Sequence, residues 1–147
     1  MDKLKLGFEI IPTSVWGYNL RSELSKKAWD YIRKDAYEKA NGKCTICGAY
    51  RKRLEAHERW EFDISTKTQK LKDVIAVCHS CHSVIHIGRT QAIGEEDKAI
   101  IHFKKVNKVD YSVYIKALKL ANEENHKLSQ IYDWSLDLSY LKTYIEK

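Results

Sequence analysis

The spacing of hydrophobic positions changes along this chain, and each change predicts an element. Residues 8–12, Phe-Glu-Ile-Ile-Pro, form a short extended run, and residues 15–24 show no period. Trp29, Ile32, Ala36, Tyr37 and Ala40 then recur at helical spacing, with a serine cap between Ser22 and Ser25 and Asn41-Gly42 as the stop. From Leu54 the period falls to two. Ala56, Trp60, Phe62 and Ile64 alternate with charged residues, residues 65–69 offer a turn, and a second apolar run covers 71–77. This pattern predicts a β-hairpin. A short helix over 80–87, ended by Gly88, is expected to follow it.

Beyond Gly94 the acidic run Glu95, Glu96 and Asp97 suits the first turn of a helix carrying Ile100, Phe103 and Val106. A further helix is expected from an Asp110 cap to about His126, with Tyr114, Ala117, Leu118 and Ala121 inward. Trp134, Leu136, Leu138 and Tyr140 alternate again, so residues 132–140 read as a strand that could pair with residues 8–12. The expected class is α+β. No repeat or linker divides the chain, so a single domain over 1–147 is expected, with an N-terminal strand and helix (1–43), a central unit (44–88) and a helical extension (89–147).

Composition narrows the class. With 44% hydrophobic and 31% charged residues the chain suits a globular fold, and one proline and six glycines exclude collagen-like and proline-rich readings. No apolar run approaches the roughly 20 residues that span a bilayer, and the first residues lack a secretory pattern, so a soluble cytoplasmic protein with no membrane partner is expected. The net charge is +6, and the whole positive excess precedes residue 54. Such asymmetry suits a polyanion, although a solvated basic face would give the same count.

Cysteine spacing says more. All four cysteines fall in two C-x-x-C pairs, Cys44 with Cys47 and Cys78 with Cys81, and none is left over. In a reducing compartment this pattern predicts four thiolates around one structural zinc ion rather than disulfides. Three of the six histidines follow at once, in Cys-His-Ser-Cys-His-Ser-Val-Ile-His. His82 and His86 are four apart, so on a helix they share a face. With His57 on the facing hairpin, three imidazoles could converge on a second ion, whereas His79 is expected beside the cysteines or at the surface.

Taken together, Cys44-Thr-Ile-Cys-Gly, Leu54-Glu-Ala-His-Glu and residues 73–86 resemble the HNH endonucleases, whose ββα-metal finger carries a C-x-x-C zinc knuckle. The resemblance covers residues 44–88. The flanks, IPTSVWGYNLR ahead and GRTQAIG and DWSLDLSYL behind, are similar to those of bacterial and phage proteins of that kind. It implies a DNA nuclease with one catalytic divalent ion (Mg, Mn, Ni or Zn) besides the structural zinc. His57, His82 and His86 fall on the family's positions for that ion. Glu58 stands where the family has its histidine general base, and Asp73 where it has an asparagine, so His57, Glu58 and Asp73 are the expected catalytic positions.

An ordinary glutamate, with a pKa of about 4.3, is a weaker base than a histidine near 6.5, but a metal-activated water needs a less basic partner. Adjacent residues on a strand point to opposite faces, so His57 and Glu58 can serve one site only where the strand bends or ends. Arg59 and Arg89 are candidate phosphate clamps, and Arg51, Lys52 and Arg53 candidate backbone contacts beside the knuckle. Two other classes remain open: a finger that binds DNA without cutting, and a structural zinc domain that docks a protein.

Overall fold

The structure, a computed structural model, describes residues 4–15 and 24–145. Residues 16–23, the aperiodic stretch that includes part of the IPTSVWGYNLR flank, lie outside the described residues. The fold is α+β, with one three-stranded sheet in the order β1-β2-β3. Helix α1 (Lys26–Ala40) is followed by β1 (Glu55–Asp63), β2 (Thr68–Val77), α2 (His79–Ile85) and α3 (Ile87–Ala92). Helices α4 (Glu96–Asn107) and α5 (Tyr111–Ser129), strand β3 (Ser135–Asp137) and helix α6 (Lys142–Ile145) complete it. No described helix is long and apolar enough to cross a membrane.

The α1 boundaries follow from side-chain chemistry. The Ser25 hydroxyl accepts the amide of Ala28 at the open N-terminus, and Asn41 takes the left-handed conformation that closes the other end. Trp29, Ile32 and Ala36 form its buried stripe and pack with Leu71 and Val74 on one face of the hairpin. The other face carries Ile75 and Val77, which join Phe103, Tyr114, Val84 and Ile85 in the larger core. Period-two alternation in β2 therefore serves two apolar layers, one on each side of the sheet.

Residues 8–12 form no strand and do not pair with the C-terminal tail. They belong to a strap laid over the larger core. Phe8 stacks on Phe103 with ring centroids 5.3 Å apart and meets Tyr114 edge-on at 5.5 Å. Asn107 ties the strap at Leu6 by donating to its carbonyl and accepting its amide, both at 2.9 Å, and the Glu9 amide bonds the Ile85 carbonyl. Side-chain pairing with helices thus takes the place of a strand ladder, which Pro12 could not extend because it has no N–H. The tail contributes only β3, parallel to β2 through Thr68 and Ser135, before a 3-10 turn at Ser139–Leu141.

Phe103 is fully buried between Phe8 and Tyr114. Its replacement by alanine is expected to cost about 3 to 5 kcal/mol, from lost burial plus the cavity left under the strap. Urea titration should show a lower midpoint with an unchanged slope; an unaltered midpoint would show that the strap does not depend on this ring.

Candidate metal centres and cleft

The first cysteine pair lies where the chain leaves α1. A bridge between Lys43 and Tyr50 closes a tight loop, in which Gly48 has φ +79° and the amides of Cys47 and Gly48 turn back on Cys44. The second pair begins α2: the Cys78 sulfur accepts the Cys81 amide at 3.4 Å and so caps the helix. Thr45 donates its amide to the Ala76 carbonyl, which ties the first loop to the end of β2 just before the second pair. All four sulfurs lie within 4.8 Å of one another, and those of Cys47 and Cys78 are 3.8 Å apart. A tetrahedron with zinc–sulfur bonds of about 2.3 Å has edges of about 3.8 Å. The set could hold a structural ion such as zinc.

The electrostatics suit this. A hydrogen bond from Cys81, helped by the backbone amides of Cys47 and Ile46, pulls the Cys44 thiol down to about 4. The same hydrogen bond and burial push Cys81 up, and burial raises Cys78. Crowded sulfurs of like sign cannot all ionise unless a cation is shared among them. The spacing did not signal His102, which stands on α4 with Nε2 3.2 Å from the Cys81 sulfur. It comes from a helix with no metal-like pattern, 21 residues on.

His57, His82 and His86 converge, each with a ring nitrogen within 4.8 Å of the others. Ring centroids are 5.3 Å apart for His57 and His82, 5.1 Å for His57 and His86, and 4.7 Å for His82 and His86. His57 is 3% exposed on β1, and the other two lie one turn apart on α2 and its end. The helix breaks at His86, with φ −95° and ψ 56°, rather than at Gly88, which lies inside α3. Thr90 holds that break by donating its hydroxyl to the Ser83 carbonyl, which the kink leaves without an amide of its own helix.

Burial, with the nearby His57 and His82, keeps His86 neutral by lowering its pKa to about 3. Burial also lowers His82, against a hydrogen bond from its Nδ1 to the Glu55 carboxylate at 2.7 Å. Neutral rings are the ligating form, and with Nδ1 engaged the Nε2 lone pair of His82 is left to bind. Glu55 takes a second hydrogen bond, at 3.0 Å, from the exposed His79.

Glu58 reaches the same cleft as His57. β1 is an outer strand whose register with β2 shifts between Arg59 and Trp60, where Lys72 of β2 is left over, and both His57 and Glu58 line a cavity of about 580 Å³ that also meets His82, His86 and Arg89. The Glu58 carboxylate accepts the Trp60 indole N–H at 3.1 Å. Asp73 lies within β2 opposite Arg59, and its two oxygens accept from Arg59 Nε and Nη2 at 2.6 and 2.5 Å. That pairing raises the Arg59 pKa and directs its guanidinium to the carboxylate rather than to the cleft.

Of the other basic candidates, Arg89 is exposed at the cleft. Arg51, Lys52 and Arg53 are exposed beside the first cysteine loop and do not line it, and Arg51 donates to the Tyr50 carbonyl. Two acidic residues that the sequence reading passed over also bear on the histidines: Glu55, and Glu9 from the strap, which accepts from His57 Nε2. No protein-family model, curated protein or solved structure matches the chain.

Proposed function

We propose that this chain is a metal-dependent HNH-type endonuclease that hydrolyses phosphodiester bonds of DNA, built on a ββα-metal finger with a four-cysteine zinc knuckle. The observation that carries the reading is the convergence of His57, from the hairpin, with His82 and His86, from the helix that the second cysteine pair begins. Imidazole donors suit zinc, nickel and similar ions. His57, His82 and His86 would hold a divalent cation there, which would supply positive charge toward a bound phosphate. Glu58 accepts the proton of the attacking water as the water oxygen bonds phosphorus; the phosphorus–oxygen bond to the leaving sugar breaks with its electron pair going to that oxygen, which takes a proton from solvent. Arg89 anchors the phosphate at the rim. The positive excess before residue 54 and exposed Arg51, Lys52 and Arg53 would approach the neighbouring backbone.

The test is incubation with supercoiled plasmid across Mg²⁺, Mn²⁺, Ni²⁺ and Zn²⁺, read as relaxed and linear product. Glu58→Gln should lower turnover by about 100-fold or more with DNA affinity unchanged, the size expected for loss of a proton acceptor. One observation favours a second reading, a finger that binds DNA without cutting: one oxygen of the Glu58 carboxylate is already engaged by the Trp60 indole N–H, at 3.1 Å. That reading expects DNA retention with no product for either protein.

A further inference from the structure

The triad is held from outside as well as from within. His82 has a carboxylate partner on the hairpin, Glu55, but the partner of His57 comes from a segment 48 residues earlier. We infer that Glu9 is a positioning residue for His57: its carboxylate accepts the proton on Nε2 and so fixes the tautomer and the plane of that ring. An imidazole with hydrogen on Nε2 has its lone pair on Nδ1, so Glu9 decides which nitrogen His57 can offer to a cation.

Three features support an assigned contact over a chance surface pair. His57 is almost wholly removed from solvent, so a polar ring nitrogen there requires a partner, and Glu9 is the partner it has. The Glu9 backbone is fixed, since its amide bonds the Ile85 carbonyl in the last turn of α2, one residue before His86. The strap just before it is fixed too, by Asn107 at Leu6 and by the stacking of Phe8 on Phe103. Glu9 thus reaches His57 from backbone anchored to the helix that carries the other two imidazoles. The strap, absent from the 44–88 unit, completes the site.

This inference rests on the metal-binding part of the proposed function, and two measurements separate their failures. The first uses protein loaded with one zinc and ¹⁵N–¹H long-range correlation spectra of the histidine rings, which report the tautomer with no second ion present. His57 is expected as the Nε2–H form in the native chain and as a mixture or the Nδ1–H form in Glu9→Ala, with Glu9→Gln intermediate because its amide oxygen can still accept. The second is calorimetric titration of the same zinc-loaded proteins with Ni²⁺. Affinity should fall about 10- to 100-fold in Glu9→Ala and be partly restored in Glu9→Gln, the range found for partners of metal-ligating histidines.

An unchanged His57 spectrum in Glu9→Ala overturns the inference whatever the titration shows. A native chain that takes up no Ni²⁺ removes the metal reading, and the tautomer spectrum then still decides the role of Glu9. Equal Ni²⁺ affinity in native and Glu9→Ala protein also overturns it, because a residue that sets the donor nitrogen cannot be neutral to binding. Thermal melting of each variant separates this effect from loosening of the strap, which would lower the midpoint of Asn107→Ala as well without moving the His57 tautomer.

Discussion

Cys81→Ser should abolish cooperative thermal unfolding under conditions in which the native chain melts sharply, and should reduce bound zinc from one per chain to near none. Cys81 is fully buried, belongs to the larger core and contributes one of four sulfurs within 4.8 Å. A structural zinc ion contributes on the order of 10 kcal/mol of apparent binding free energy in small domains, comparable with the whole stability of a chain this size. Loss of one thiolate from a closed tetrahedral set forfeits much of that. Circular dichroism melting together with elemental analysis reads both quantities, and a chelator added to the native protein should reproduce the variant. A variant that kept its melting point and its metal would remove the sulfur site from the account of stability.

His82→Ala should behave in the opposite way. It is expected to keep the zinc and melt near the native midpoint, yet to lose the second cation by more than about 100-fold in affinity and all plasmid cutting with it. The ring is partly exposed at the cleft, its burial favours the neutral form, and its removal leaves two donors where three converged. It also leaves the Glu55 carboxylate, among the described residues, with the hydrogen bond from His79. Titration with Ni²⁺ followed by the plasmid assay checks this. Retained Ni²⁺ affinity would mean that the three rings are packed together without serving an ion, as in the structural zinc domain that the sequence also allowed.

Much of what positions these side chains was legible because the signals are local. Paired cysteines are three residues apart, the imidazoles of His82 and His86 one turn apart, and the hairpin alternates between two buried faces. Capping fixed the start of α5 at Asp110 and bracketed that of α1 between Ser22 and Ser25, where Ser25 proves to be the cap. Features that depend on distant partners were not legible. Phe8 to Pro12 has the apolar density of a strand, and only the rings of Phe103 and Tyr114, about a hundred residues on, make it a strap. Gly88 invites a helix end, but the break came two residues earlier, where Thr90 could satisfy the freed carbonyl. Asp73 and Arg59 find each other only once the hairpin register is set. Glu9, Glu55 and His102 belong to no spacing pattern at all.

Helix α2 is seven residues long and carries Cys81 and His82 side by side. Because the two are neighbours on one short helix, a change in the position of Cys81 carries His82 with it. Were the sulfur set and the imidazole set both to hold ions, their occupancies would be linked: whatever factor the first ion added to the affinity of the second, the second would return to the first.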